Sequence, residues 1–287
     1  MEELKTIYYS ACIVFLLLVA CNNVQDKKEQ AMNKNGYSDV NGIKMYYEIY
    51  GKGAPLILIH GGGSTIQSTF GRLIPLLDKN YRLIAMELQN HGRSGQRDVP
   101  ETFEQDADDV STLLKNLGIG KASFLGFSNG GQTALQVAIR HPEMVDKLIV
   151  ISSPVKRSGF IPGFFDGMTH ASLGNMPPLL KTEFLKVNPD SNKLQHMFEK
   201  DRDRMMNFKD FPDEQLKGIM APTLLINGDA DVITAEHAVE MHRLIPHSSL
   251  AILPGGHGDC IGEVTTLKND GKDSIYIVPM IEEFLAK

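Results

Sequence analysis

Three short segments set proton-handling side chains beside glycines. Gly126-Phe127-Ser128-Asn129-Gly130 reads G-x-S-x-G, preceded by a strand-like apolar run at 122–127 and followed by helical spacing at 132–140. A serine hydroxyl attacks a carbonyl only when it is held clear of its surroundings and next to a base. A strand-to-helix turn tight enough to do this leaves no room for side chains two positions before or after the serine, and both positions are glycine. The base and the group that orients it have candidates further on. Gly228-Asp229-Ala230-Asp231 follows a strand-like run at 223–226, and Gly256-His257-Gly258 follows another at 249–253. Both segments thus reach the carboxyl ends of strands, where ligands bind in open α/β sheets. The order suits a nucleophile Ser128, a general base His257 and an orienting carboxylate from Asp231 or Asp229.

Such residues need a scaffold that delivers them to one edge. Asn41-Gly42, between residues 37–40 and the alternating 43–50, predicts a β-hairpin with a type I′ turn. Runs at 55–60, 82–88, 122–127, 145–151, 223–226 and 249–253 are short and apolar, as strands buried on both faces are. Residues 70–77 predict a helix shortened or kinked at Pro75. Phe103, Ala107, Val110, Leu113, Leu114 and Leu117 recur at helical spacing before a stop at Gly118. Strands alternating with helices predict an α/β fold, with a mostly parallel central sheet and helices on both faces. From about 154 to 220 no strand-like run occurs. A helical cap insertion over the strand ends is expected there, its Met and Phe residues lining an apolar underside or simply packing the cap.

From Gly36 onward the chain resembles the α/β-hydrolase family, through four markers in the family's order: His60-Gly61-Gly62, Gly92-Arg93-Ser94, the serine turn, and the Gly-x-x-Asp and Gly-His pair. The resemblance implies the α/β-hydrolase fold and a serine triad that uses no cofactor and no metal. It selects the later aspartate, Asp231, as the acid and leaves Asp229 to cap its loop. It also implies an oxyanion hole of two backbone N–H groups, from Asn129 and from Gly62, with Gly63 the other choice. The expected reaction is hydrolysis, through an acyl-enzyme, of a carboxylic ester of a small hydrophobic or amphipathic substrate. Amides, thioesters, lactones and carbon–carbon bonds yield to the same triad, and a ligand-binding or sensory protein can share the fold. Where many relatives carry Asp-x-x-Gly-His-Gly-Arg-Ser, this chain has Glu87-Leu88-Gln89-Asn90-His91-Gly92-Arg93-Ser94, a change that shapes the loop rather than the chemistry.

The remaining candidates have quieter readings. Cys260 follows His257 but lacks a comparable turn, His60 and His91 suit bonding to loop backbone, and His237 with Glu240 suits an exposed helix face. A formal net charge of −6 over 287 residues, with basic residues scattered, offers no footprint for nucleic acid, and 42% hydrophobic content suffices for one large core. The N-terminus reads apart from the rest. Residues 7–20 are almost wholly apolar, too short for a comfortable membrane span and suited to the core of a signal peptide. Their ending, Leu18-Val19-Ala20-Cys21, resembles a bacterial lipobox. That implies a lipoprotein signal peptide at 1–20, a lipid on Cys21, a polar tether at 21–35, and a hydrolase domain at 36–287 anchored to the cell envelope on its periplasmic or surface side. A short buried helix or an uncleaved anchor is the competing use of the run, and Lys5 facing Glu2 and Glu3 departs from the usual basic start.

Overall fold

The computed structural model describes residues 32–267 and 275–287. The expected signal peptide, Cys21 and the tether as far as residue 31 lie outside the described residues, as does part of the loop that follows His257. Eight strands form one sheet: β1 (Met32–Val40), β2 (Ile43–Tyr50), β3 (Ala54–Ile59), β4 (Tyr81–Met86), β5 (Ala122–Phe127), β6 (Val145–Ile151), β7 (Thr223–Gly228) and β8 (Ser248–Leu253). Their spatial order is β1-β2-β4-β3-β5-β6-β7-β8, antiparallel from β1 through β2 to β4 and parallel elsewhere. The fold class expected from the sequence is the fold observed. Asn41 and Gly42, at φ 43° and 91°, make the β1–β2 turn with both central residues at positive φ, as type I′ requires. β1 already begins at Met32, inside the stretch expected to be tether, and pairs with β2 from Met32 opposite Tyr50 onward. An edge strand is held by backbone pairing, which leaves little mark on side-chain hydrophobicity.

The apolar runs alternate faces. Ile57, Ile59, Ile84 and Met86 point into one core with α3 (Phe103–Asn116), α4 (Asn129–Arg140) and α9 (Ala235–Leu244). Leu56, Leu58, Leu83 and Ala85 point into another with α1 (Ile66–Phe70), α2 (Ile74–Leu77) and α10 (Val278–Ala286). A strand covered on both faces must be apolar at odd and even positions alike, which is why these strands were readable as continuous runs. Ile57 and Ile59 are fully buried, and truncating either to alanine costs about 2–5 kcal/mol. The single helix expected at 70–77 is instead two. Gly71 ends α1, and Pro75 falls in the first turn of α2, where its missing N–H costs nothing.

Between β6 and β7 the chain inserts α5 (Phe164–Thr169), α6 (Pro178–Val187), α7 (Ser191–Met206) and α8 (Asp213–Lys217). Phe184 and Met197 are fully buried in a small cluster of the insertion's own with Met176 and Leu194, while Phe160 and Met205 join the main core. Packing therefore accounts for most of the Met and Phe residues that could have lined a substrate surface. Met176 and Leu180 reach over the loop after β3, where a Cβ on Gly63 would lie 3.0 Å from Met176 Cε. No helix among the described residues is long and apolar enough to cross a membrane.

Candidate active site

Ser128 joins β5 to α4 in a strained conformation, φ 53° and ψ −123°, which non-glycine residues rarely adopt. The two glycines are required for different contacts. A Cβ on Gly126 would meet the Gly130 carbonyl at 2.3 Å, across the turn itself, whereas a Cβ on Gly130 would meet the Ile59 carbonyl at 2.0 Å, at the end of β3. The second glycine thus lets α4 press against the neighbouring strand. Ser153 Oγ donates to the Ser128 carbonyl at 2.7 Å, tying the turn to the end of β6.

The histidine and aspartate come from the ends of β8 and β7. His257 Nδ1 lies 2.8 Å from Asp231 Oδ1, and the Asp231 carboxylate is fully covered while His257 is about a third exposed. Asp231 Oδ1 also accepts from Ile233 N–H at 3.1 Å, and Oδ2 accepts from Ser152 Oγ at 2.6 Å. Burial pushes the Asp231 carboxyl up, but the bonds from His257, Ser152 and the Ile233 N–H outweigh it and hold the group below the usual carboxylate range. Asp229 plays a different part, since its Oδ1 accepts from Gly255 N–H at 2.9 Å and closes the loop between the two strand ends. The Phe127 ring sits 4.8 Å from the His257 ring, which places the imidazole beside the serine turn. Nothing in the sequence marked Ser152, which follows β6 at φ 53°.

The two residues expected to supply the oxyanion donors are neighbours, Gly62 lying against the Asn129 side chain. A Cβ on Gly62 would lie 2.4 Å from Asn129 Nδ2, so the loop after β3 and the start of α4 are in contact. Asn129 opens α4, where a backbone N–H has no partner within its own helix. Gly63 N–H is taken: it donates to Asp201 Oδ2 at 2.6 Å. Of the two glycines expected to offer a second donor, Gly63 therefore has its N–H bonded within the protein.

Neighbouring groups are structural. His60 Nε2 accepts from Leu88 N–H at 3.1 Å and its Nδ1 meets the Gly61 carbonyl, joining the loops after β3 and β4. Glu87 accepts from Arg93 N–H and side chain, and Asn90, at φ 65°, bonds Glu101 and accepts from Arg97 N–H. The departures from the family pattern thus build a different but well-bonded loop. Burial pushes the Cys260 thiol up to about 12, so it stays protonated and inert. His237 is a correction. Rather than lying on an exposed face, it is 3% exposed, accepts from Val155 N–H at 3.0 Å through Nε2, and reaches Glu240 through Nδ1. A cavity of about 730 Å³ lies elsewhere, between residues 100–104 and the end of α7, lined among others by Phe103, Lys200 and Phe208. None of the three candidate catalytic side chains borders it, so chemistry rather than cavity size locates the site. Among the described residues no group of three or more His, Cys, Asp or Glu side chains is placed to hold a metal ion.

Among known proteins, a family model described as the alpha/beta hydrolase fold matches residues 54–181. The uncharacterized hydrolase YugF of Bacillus subtilis is 30% identical over 237 residues, spanning 74% of this chain and 86% of that protein. The 2-hydroxy-6-oxo-6-(2'-aminophenyl)hexa-2,4-dienoic acid hydrolase of Metapseudomonas resinovorans is 32% identical over 140 residues, 48% of each chain, so the match spans about half the length of that relative. Among solved structures, a serine hydrolase involved in carbazole degradation (the CarC enzyme) superposes with a TM-score of 0.72 at 25% identity, covering 89% of this chain and 99% of that one.

Proposed function

Because this chain belongs to the α/β-hydrolase fold family, we propose that it is a serine hydrolase that works through an acyl-enzyme on a carboxylic ester of a small hydrophobic or amphipathic substrate. Ser128 Oγ attacks the carbonyl carbon as His257 takes its proton, and Asp231 holds the imidazole tautomer and balances the imidazolium. The Asn129 and Gly62 N–H groups stabilise the oxyanion, which collapses as the carbon–oxygen bond breaks and His257 protonates the departing alkoxide. Water, deprotonated by the same histidine, then releases the acid and restores the serine. The observation that carries this reading is the 2.8 Å pairing of His257 with buried Asp231 beside the strained Ser128 turn.

A second reading is favoured by the relative from Metapseudomonas resinovorans. Its named substrate is a 2-hydroxy-6-oxo-dienoic acid, a carbon skeleton without an ester, so carbon–carbon hydrolysis is the rival bond class. Initial rates with p-nitrophenyl acetate, p-nitrophenyl octanoate and a 2-hydroxy-6-oxo-dienoic acid separate the two. Turnover of the esters, lost in Ser128→Ala, supports the first reading; turnover of the dienoic acid alone replaces it with the second.

The same proposal includes the N-terminus: cleavage before Cys21 and lipidation of its thiol would anchor the domain in the cell envelope. Its support is the apolar run that ends in the lipobox-like Leu18-Val19-Ala20-Cys21. Incorporation of a clickable palmitate analogue by the wild type and not by Cys21→Ala is the expected result, and equal labelling of both would refute it.

A further inference from the structure

The carboxylate that occupies Gly63 N–H comes from far along the chain. Asp201 lies on α7, in the insertion, 138 positions from Gly63. Its Oδ2 accepts from Gly63 N–H at 2.6 Å and pairs with His91 Nε2 at 2.9 Å, while its Oδ1 accepts from Arg204 Nη2. Arg204 also donates to Asp106 Oδ2 at 2.7 Å and lies 3.5 Å from Glu101. All of these side chains are buried, so the group is an interior network rather than a surface ion pair.

An isolated carboxylate so near an oxyanion hole would oppose the charge that develops there. Here it does not stand alone. His91 and Arg204 bond it directly, and burial, which pulls His91 down, is outweighed by Asp201, which pushes His91 up to about 9 and keeps it cationic. The contacts also grip the loop on two sides. A Cβ on Gly62 would lie 3.3 Å from Asp201 Oδ2 and 2.4 Å from Asn129 Nδ2. With Gly63 N–H drawn to Asp201, the preceding amide is fixed relative to the serine turn.

We propose that Asp201 is a positioning residue that holds Gly62 N–H in the oxyanion hole from the insertion, so that seating α7 against the loops after β3 and β4 and completing the hole are one event. This rests on the serine-hydrolase reading of the site. Asp201 touches no reacting atom; it acts through the backbone of residues 62–63. Loss of the clamp removes stabilisation that exists only in the transition state, so kcat falls and KM does not follow.

The test compares the wild type with Asp201→Ala and Asp201→Asn, measuring kcat and KM for p-nitrophenyl butyrate and hydrogen–deuterium exchange in the peptide covering residues 60–66. In Asp201→Ala, kcat should fall about 100-fold with KM within about 3-fold, the size expected for loss of one oxyanion donor. Asp201→Asn, which keeps an oxygen for Gly63 N–H but not the charge, should lie between. Exchange should rise in 60–66 and stay unchanged in the strands. Retained kcat in Asp201→Ala overturns the proposal, as does exchange that rises throughout the domain, which would make Asp201 a residue of general stability. A wild type that turns over neither the ester nor a 2-hydroxy-6-oxo-dienoic acid, but in which exchange rises only in 60–66 on mutation, would instead refute the hydrolase reading and leave Asp201 the clamp of a loop with no oxyanion to serve.

Discussion

Ser152 Oγ donates to Asp231 Oδ2 at 2.6 Å, on the opposite side of the carboxylate from the oxygen that His257 holds at 2.8 Å. The aspartate is thereby fixed from both ends, and its rotation cannot release the imidazole. Ser152→Ala should lower kcat about 10- to 100-fold with KM little changed, since a hydrogen bond to a charged group is worth about 1.5–3 kcal/mol. Asp231→Asn, which imposes the wrong tautomer, should lower it about 10⁴-fold. Steady-state kinetics on the two variants check the order; a Ser152→Ala enzyme as slow as Asp231→Asn would make the hydroxyl more than a support.

Asn90 stands where many relatives carry glycine, at φ 65°, and its side chain bonds Glu101 and accepts from Arg97 N–H. Asn90→Gly relieves the backbone but removes both bonds, so it should destabilise by about 1–2 kcal/mol. Asn90→Ala adds the cost of a left-handed alanine and should destabilise by about 2–4 kcal/mol. Urea unfolding at equilibrium measures both, and a glycine variant less stable than the alanine variant would contradict this account of the loop.

Two neighbouring histidines, His60 and His91, with ring centroids 4.8 Å apart, titrate in opposite directions. Burial, and next the charge on His91, holds His60 down at about 3. Between about pH 3 and 6.5 the unfolded chain therefore binds a proton that folded His60 refuses, and this contribution to stability is lost as pH falls. His91 is the reverse. Pushed up to about 9 by Asp201 against the pull of burial, it holds a proton that the unfolded chain releases, so its contribution is full below about pH 6.5 and is lost as pH rises through about 9. Urea midpoints at about pH 5, 7 and 9 should show His91→Gln losing the alkaline decline while keeping the acid one; an unchanged alkaline slope would mean that His91 is not charged in the folded protein.

What could be read from the sequence follows from the range of the interactions involved. The placing of Ser128 and Asp231 was legible because each follows a strand buried on both faces, which announces itself as a continuous apolar run. β8, which leads to His257, was expected to be buried in the same way but is an edge strand with Ile252 exposed, and only its short apolar run and the glycines after it gave its position. The serine turn was legible because its glycines answer to backbone collisions at 2.3 and 2.0 Å. Asp201 was not, since its partners Gly63 and His91 lie 138 and 110 positions away and one more aspartate on a polar helix carries no mark. His237 looked exposed because Glu240 follows it one helical turn later, yet its ring fills a place beside Gly159, where a Cβ would stand 2.3 Å from the imidazole. The start of β1 was hidden for a related reason, being set by backbone pairing with β2 rather than by side chains.

The central claim is that Ser128 is the nucleophile, and intact-mass spectrometry after treatment with a fluorophosphonate tests it most directly. One adduct on the wild type, mapped to the peptide containing Ser128 and absent from Ser128→Ala, is the expected result. A folded wild type that takes up no probe, or an adduct that persists in Ser128→Ala, would contradict it.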